Sequence, residues 1–336
     1  TKDMLMAGKT LPGVYGASSP RMNVADLRTK GWEASITWGD SFTLASKHFN
    51  YRVMAGIGDN TSKVTKYDNP NRTLTDPYEG QQLGEIWGYV VDGYFKTDEE
   101  ARNYKVDQSF VNQMINASAL DNGLHAGDLK FVDLDGNNKI EQTTSANDRK
   151  DMKVIGNSLP RYNYNFGISA DWYGIDFSVL FQGIGKQNWY PGAETSMFWG
   201  PYSRPYASFI PSDFMSQVWS EENTDAYFPR PRGYVALGSN RELAVVNTKY
   251  LQNLAYCRLK NLSIGYTLPD KWLSKIGFEK IRVYFSGENL LTFTKLHSDY
   301  IDPEQASASN SWKTSKSDAN IYPWAKTYSF GVDITF

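Results

Sequence analysis

Residues 161–185 read RYNYNFGISADWYGIDFSVLFQGIG, and this stretch decides the fold. Apolar side chains occupy every second position up to Trp172, and mostly small or polar side chains lie between them. A tight turn at Tyr173 and Gly174 leads into a second alternating segment, in which Leu180 is an exception. A period of two is typical of a β-strand with one apolar and one polar face. The stretch therefore predicts a β-hairpin.

The same alternation recurs along the chain and predicts strands at about residues 31–39, 46–57, 161–173, 175–185, 254–268, 280–294 and 328–336. Short segments join these strands in pairs, and the long segments 58–160, 186–253 and 295–325 separate the pairs. Outer-membrane barrels have short periplasmic turns and long extracellular loops, so this regular spacing favours a transmembrane barrel. Most of the predicted strands are also long enough to cross hydrocarbon at a tilt.

The composition agrees with a barrel and excludes several other classes of protein. The chain has 336 residues, a formal net charge of -2, and 15% aromatic residues with 22 Tyr and 10 Trp. Such a balanced charge gives no field that would attract nucleic acid. The single cysteine, Cys257, excludes an intrachain disulfide and a multi-thiolate metal site. Abundant aromatic residues on a hydrophilic chain suit aromatic girdles, polar loops and a wet interior.

A soluble β-sandwich would produce the same alternation, because its apolar faces meet in a core. On that alternative the chain would be a calcium-dependent carbohydrate-binding module. Aromatic residues near the strand ends, where an interfacial belt lies, favour lipid instead. About seven strands cannot close a barrel, and lipid does not tolerate open sheet edges. The chain also opens Thr1-Lys2-Asp3 without a signal segment, so we expect it to be part of a longer barrel protein.

Helices are expected to be few. A capping box from Thr97 to Glu100 predicts a helix over 98–117. Shorter helices are expected at 270–276 and 211–219.

The C-terminus ends in an aromatic residue preceded by apolar residues at every second position. This pattern resembles the signal that the outer-membrane assembly machinery reads on the last strand of a barrel. An amphipathic edge strand is available for strand addition. The residues are Tyr328, Phe330, Val332, Ile334 and Phe336.

Several segments together resemble one family. Residues 23–33, NVADLRTKGWE, resemble a segment that opens a barrel strand in many TonB-dependent receptors, with Ala25 where that family often has Gly. Further segments resemble the SusC/RagA branch of that family: KVTKY (63–67), LGEIWGY (83–89), GDLKFVDLDG (127–136), VIGN (154–157), FQG (181–183), RLKN (258–261) within 256–266, and SGENLLTF (286–293).

This resemblance implies an all-β fold, with residues 1–336 forming the C-terminal portion of a large antiparallel transmembrane β-barrel, 22-stranded in the family, with long extracellular loops. The plug and the N-terminal strands would lie outside this chain. The family implies import across the outer membrane of a Gram-negative bacterium, energised by the TonB complex through that N-terminal part. It also implies a SusD-like lipoprotein lid. Glycans, as oligosaccharides, are the expected cargo and peptides the alternative, and the sequence does not decide between them.

On this interpretation, the polar face of the strands would line a wet lumen. The candidate lining residues are Asn163, Asn165, Asp171, Asp176, Gln182, Arg282 and Glu288.

A calcium site is a further candidate. Residues 133–140 resemble the start of an EF-hand or dockerin loop, with oxygen-bearing side chains at alternate positions, which suits a hard cation. The expected ligands are Asp133, Asp135, Asn137, Lys139 through its carbonyl, and Asp148 past an insertion. The alternative is an ordinary Asp/Asn/Gly turn in a surface loop. No other cofactor is expected.

The segment 186–253 is rich in aromatic residues. Aromatic side chains beside polar groups can stack on sugars, contact the lid protein, or pack the loop itself. The candidates for ligand or lid contact are Trp189, Tyr190, Trp199, Tyr202 and Tyr206.

Catalysis is not expected. The sequence has no Gly-x-Ser-x-Gly elbow, no His-Glu-x-x-His motif and no phosphate loop. Cys257 lies on a predicted strand, where a small packing residue is the simpler interpretation.

Overall fold

The structure, a computed structural model, describes residues 1–7, 13–16, 20–112, 123–203, 210–238, 241–273, 277–306, 316–317 and 322–336. Its strands are β1 (Met4–Ala7), β2 (Arg21–Leu44), β3 (Lys47–Lys66), β4 (Glu85–Tyr89), β5 (Val91–Tyr94), β6 (Leu129–Phe131), β7 (Met152–Asn157), β8 (Arg161–Trp172), β9 (Ile175–Lys186), β10 (Asn188–Pro191), β11 (Gln252–Asn253), β12 (Tyr256–Thr267), β13 (Lys280–Thr294), β14 (Lys316–Ser317) and β15 (Thr327–Thr335). The helices are α1 (Asp98–Arg102), α2 (Ser196–Trp199) and α3 (Asp270–Leu273), with 3-10 turns at Gly13–Tyr15, Gly200–Tyr202, Phe214–Gln217 and Tyr234–Leu237.

Eight strands form one antiparallel sheet in the order β1-β2-β3-β8-β9-β12-β13-β15. The hairpin predicted from residues 161–185 is present as β8 and β9. Each of the seven predicted strands is present, and β1 is an addition at the edge. The sheet is open in the described part of the chain, with β1 and β15 at its ends.

Short turns lie at one end of the sheet and the long connections leave from the other, because consecutive long strands are antiparallel neighbours. The links β2–β3 and β8–β9 are two-residue turns in which both central residues have positive φ: Ala45 and Ser46, then Tyr173 and Gly174. Two positive φ values match the hairpin turn whose twist suits the flanking strands. Gly174 adopts this conformation without the steric cost that a side chain adds.

The apolar side chains of the sheet share one face. Phe166 lies opposite Ala55 and Phe181, and Ile168 lies opposite Val53 and Val179. Many side chains on this face are exposed, and others, such as Phe177 and Phe181, are half-buried. The exposed fraction is 66% for Ile36, 61% for Trp38, 44% for Ile168 and 83% for Phe330. A soluble sandwich would bury this face against a second sheet, so the arrangement favours the barrel over the sandwich.

The main hydrophobic core lies outside the large sheet. Its buried members come from the three long connections, from Tyr89 to Ile140, from Trp189 to Leu254 and from Leu296 to Ala306. We call the described residues of 67–160, 187–255 and 295–326 the loop domain. Small sheets support it, with β4 paired to β7, β5 to β6, and β10 to β11 and β14. The long connections are therefore packed together and are not separate irregular loops.

Several predicted bounds are wrong. Strands β2 and β3 extend well beyond 31–39 and 46–57. The helix predicted over 98–117 ends at Arg102, although Thr97 caps it as expected by accepting a hydrogen bond from Glu100 N at 3.1 Å; residues 113–122 lie outside the described part. The other two predicted helices are the single turns at Asp270–Leu273 and Phe214–Gln217. None of the described helices combines the length and apolarity needed to cross a membrane.

Candidate functional site

The face of the sheet opposite the apolar side chains is polar. The strand register places all seven candidate lining residues on it: Asn163, Asn165, Asp171, Asp176, Gln182, Arg282 and Glu288. Asn165 lies opposite Gly56 on one side and Gln182 on the other. A cavity of about 970 Å³ borders this face, with Asn163, Asn165, Gln182 and Glu33 among its lining residues. That this face lines a lumen stays a prediction.

Two of the candidate lining residues pair with each other near the short-turn end of the sheet. Arg282 donates from Nε and Nη2 to the two carboxylate oxygens of Asp176, at 2.8 and 2.7 Å. Its Nη1 lies 3.1 Å from the carboxylate of Asp333. The guanidinium also stacks over the ring of Tyr284, with 4.7 Å to the centroid. Bidentate pairs are strong and fix geometry, so Arg282 connects its own strand to β9 and β15.

A second ion cluster joins the sheet to the loop domain. Arg258 is 3% exposed and donates to Asp302 and Glu304, at 2.6 Å each, and to Thr292 at 2.9 Å. Lys260 donates to the same Glu304 carboxylate at 2.7 and 2.8 Å. This cluster was not predicted from the sequence. The motif RLKN, with two cations on a strand, was the available indication.

The predicted calcium loop is partly assembled. Asp133 and Asp135 each place one carboxylate oxygen in a group with Asp151, and the three oxygens lie within 4.8 Å of one another. Asp148, the predicted last ligand, lies outside this group, and Asp151 is the third carboxylate in it. The chain turns back at Lys150, which has a φ of 39°, and this places Asp151 against the loop.

Hydrogen bonds within the predicted calcium loop already hold most of its oxygens. Asp133 accepts from Gly136 N and Asn138 N at 2.7 Å each. Asn137 bonds Asp135 and Glu141 through its side-chain amide, and its oxygen accepts from Lys139 N at 2.8 Å. A polar turn has such hydrogen bonds with or without a bound cation, so they do not distinguish the two interpretations of this loop.

The pKa values of Asp133 and Asp151 shift in opposite directions. Burial raises the pKa of Asp151 despite hydrogen bonds from Leu134 N and Glu141 N, and the charges of Asp135 and Asp133 add to the rise. For Asp133, burial acts upward but the backbone N–H groups of Asn138 and Gly136 outweigh it, and its pKa is lowered. A divalent cation would stabilise the charged form of Asp151. Calcium binding stays a prediction.

The aromatic residues chosen as ligand or lid contacts are core residues instead. Trp189, Tyr190 and Trp199 are 0% exposed and Tyr202 is 1% exposed. Tyr190 donates to Leu243 O and Tyr202 to Pro229 O, so their hydroxyls are also used internally. Fully buried side chains cannot meet a ligand or a lid protein, so for these four residues that prediction was wrong and packing was the correct alternative. Tyr206 lies outside the described residues.

The C-terminal strand matches the expected pattern of a terminal amphipathic strand. Tyr328, Phe330, Val332, Ile334 and Phe336 are all exposed. β15 pairs only with β13 in the sheet order of the described residues, so its other edge is open. The recognition of this strand by an assembly machinery stays a prediction.

Comparisons with known proteins identify similar chains. The whole chain is 27% identical to TonB-dependent receptor P3 of Formosa agariphila, covering 31% of that protein, and 25% identical to TonB-dependent receptor P39 of the same organism, covering 33%. It is 21% identical to TonB-dependent receptor SusC of Bacteroides thetaiotaomicron, covering 29% of it. The chain thus spans about a third of the length of the curated relatives it matches. No protein-family model matches it.

The fold is also similar to solved structures. The whole chain superposes on the RagAB peptide importer in its open-open state with a TM-score of 0.66 and 20% identity, covering 31% of that chain. It superposes on the RagAB peptide importer in its closed-closed state with a TM-score of 0.64 and 21% identity, covering 32%.

Proposed function

Because the chain belongs to the SusC/RagA family of TonB-linked outer-membrane transporters, as the C-terminal part of the barrel, we propose that it serves nutrient import across the outer membrane of a Gram-negative bacterium. In this proposal the large sheet is part of the barrel wall. The observation that carries it is the two-faced sheet, whose exposed apolar side chains lie on one side and whose seven polar candidates lie on the other.

The two faces match the two environments of a barrel wall. Exposed Ile36, Ile168 and Phe330 suit acyl chains, which a lipid-facing surface meets. On the opposite face, Asn165 and Gln182 carry both donors and acceptors and lie opposite each other. Neutral amides bind sugar hydroxyls or peptide groups without holding a cargo as firmly as paired charges would.

We propose oligosaccharides as the cargo, with peptides as the second candidate. The cavity on the polar face, lined by Asn165 and Gln182, is compatible with either cargo. The SusC/RagA resemblance implies glycans or peptides, and the similarity of the fold to a RagAB peptide importer supports peptides as the second candidate. A SusD-like lipoprotein above the loop domain and the TonB complex acting through a separate plug region complete the proposal. No enzymatic activity is proposed.

The test is uptake by living cells. A strain lacking the receptor, complemented with the complete natural gene, should take up fluorescent oligosaccharides, or peptides on the second candidate, in a TonB-dependent manner. Asn165→Trp combined with Gln182→Trp would fill the cavity on the polar face and should reduce uptake severalfold. Val179→Trp, on the apolar face of the same hairpin, is the matched control and should leave uptake near the natural level.

The outcomes separate the alternatives. Loss of oligosaccharide uptake alone would support the glycan proposal, and loss of peptide uptake alone would support the second candidate. Uptake of both cargoes that persists without the receptor gene, or without TonB, would refute transport. An equal effect of the Val179→Trp control would refute the assignment of the two faces.

A further inference from the structure

The loop domain contains a second cavity, separate from the polar face of the sheet. It measures about 990 Å³, and Lys96, Asp98, His125, Trp219, Glu221 and Arg230 are among its lining residues. Pockets of roughly 300–1,000 Å³ are typical of small-molecule sites. The cavity is therefore large enough for a ligand of a few sugar or amino-acid units. We call it the loop cavity.

The walls of the loop cavity are held by backbone contacts between segments distant in sequence. Gly127 N donates to Phe95 O at 2.8 Å, and Arg230 N donates to Gly127 O at 3.1 Å. A Cβ on Gly127 would lie 2.6 Å from Cε3 of Trp219 and 2.8 Å from Cβ of Arg230. The glycine thus lets the indole and the arginine approach at the same point. Trp219 N bonds Phe228 O at 3.0 Å, which fixes that wall in turn.

Arg230 is a half-buried cation in the lining of this cavity, and its charge acts on Asp98. Within the described residues its guanidinium makes no hydrogen bond and no ion pair. Its neighbour along the chain, Arg232, is by contrast paired with the buried carboxylates of Asp128 and Glu242. A partly desolvated guanidinium is stabilised by an anion that accepts from its fork of donors.

The other charged groups restrict where a ligand anion can lie. Asp98 accepts from Ala126 N at 2.9 Å and lies 3.8 Å from the His125 ring. The Ala126 N–H lowers the pKa of Asp98, and burial together with the charge of Arg230 lowers the pKa of His125. At neutral pH the imidazole is therefore uncharged and Asp98 is ionised. Glu221 and Asp98 repel a second anion, so a single carboxylate next to Arg230 is favoured over a polyanion.

We propose that the loop cavity binds one carboxylate of an incoming ligand through Arg230, with Trp219, which is 7% exposed, forming part of the wall. This inference rests on the proposed import function and narrows its cargo to carboxylate-bearing molecules. Two sources supply that chemistry, the free C-terminus of a short peptide and the uronic acid of an oligosaccharide. Arg230 is the binding residue, and the exposed Lys96 adds positive charge to the lining.

The test measures binding to the complete receptor purified in detergent, by isothermal titration calorimetry. Two matched probe pairs distinguish the sources: trialanine against trialanine amide, and cellobiouronic acid against cellobiose. The acidic member of at least one pair should bind about tenfold more tightly than its neutral partner, since a charge-assisted hydrogen bond is lost in the neutral one. Its affinity should fall with added salt, because the contact is ionic.

Variants assign the effect to Arg230. Arg230→Gln should remove the preference for the acidic probe, and Arg230→Lys should keep part of it. Arg149→Gln removes an exposed arginine elsewhere in the loop domain and should change nothing. Thermal unfolding of each variant checks that its fold is intact, and the salt dependence of the natural protein needs no variant.

The outcomes decide the proposal. A preference for trialanine over its amide identifies a peptide carboxylate, and a preference for cellobiouronic acid identifies an acidic sugar. Equal binding within both pairs, no binding of any probe, or an unchanged preference in Arg230→Gln would overturn the proposal. If uptake of cargo by cells survives while acid preference is absent, the loop-cavity inference fails and the import function stands.

Discussion

A single arginine placed on either face of the sheet distinguishes lipid from water as the neighbour of the apolar side chains. Ile168 lies five positions before the turn at Tyr173 and is 44% exposed. At about 3.3 Å per residue and a tilt of about 40°, each residue advances about 2.5 Å along the membrane normal. Ile168 then lies about 12 Å from the turn, close to the middle of an apolar band about 25 Å tall.

Ile168→Arg should therefore destabilise the barrel by about 2–4 kcal/mol, the usual cost of arginine at the bilayer midplane. Ser178→Arg is the matched control at nearly the same depth. Ser178 lies on the polar face, opposite Ser169 and Ser263, and arginine there should cost about 1 kcal/mol or less because water solvates it. If Ile168 faced water, its replacement would also change stability by only about 0.5 kcal/mol.

The assay is reversible denaturant unfolding of the complete receptor in lipid vesicles, followed by tryptophan fluorescence. The quantity compared is the difference in unfolding free energy between each variant and the natural protein. If Ile168→Arg lowers the unfolding free energy no more than Ser178→Arg does, the apolar face does not meet lipid.

Three further predictions concern packing, ions and pH. Gly331→Ala should destabilise the sheet by about 1–3 kcal/mol, because the new methyl group would overlap the ring of Tyr284; chemical denaturation measures this, and an unchanged midpoint would contradict it. Arg258→Ala should lower the unfolding free energy by about 3–5 kcal/mol because it leaves the Asp302 and Glu304 carboxylates without their guanidinium. Thermal unfolding should show much of this loss for both Arg258→Ala and Arg258→Met. A melting temperature equal to that of the natural protein in either variant would contradict a stabilising role of the cluster. The pKa of Asp151 is raised in the folded state, mainly by burial, so the folded state holds this proton more tightly than the unfolded state does. Ionisation of Asp151 thus lowers stability as pH rises from the ordinary carboxyl pKa through the raised one. Asp151→Asn should reduce this loss of stability with rising pH, and Ca²⁺ should offset the loss only in the natural protein. Melting temperatures measured over a pH series with and without Ca²⁺ test this, and stability that rises with pH in the natural protein would contradict it.

The sequence predicted the sheet well where alternation is local. The strand expected at 280–294 is Lys280–Thr294, and the one expected at 254–268 is Tyr256–Thr267. β2 was underestimated because its first ten residues, from Arg21 to Lys30, include four charged residues and do not alternate regularly. Alternation reports only the part of a strand with contrasting faces, so polar extensions of a strand are invisible to it.

The loop domain was not predictable in the same way. Trp199 and Tyr202 lie in a polar, turn-rich segment, and nothing local distinguishes a buried aromatic residue there from an exposed one. They belong to a core cluster that also contains residues of the other long connections, such as Leu129 and Ile301. Likewise, Asp151 reaches Asp133 through a turn whose path the spacing of carboxylates did not reveal. Non-local contacts of this kind follow from the complete fold and not from periodicity.

Quenching of a fluorescent label tests directly whether the apolar face meets lipid or water. In the complete receptor with Cys257 replaced by serine, single cysteines at Val332 and Asn165 would carry a fluorophore, and the protein would be placed in vesicles of brominated lipid. We expect strong quenching by the brominated acyl chains at Val332 and little at Asn165, with aqueous iodide showing the reverse. Iodide quenching at Val332 as strong as at Asn165, with none by the lipid, would contradict it.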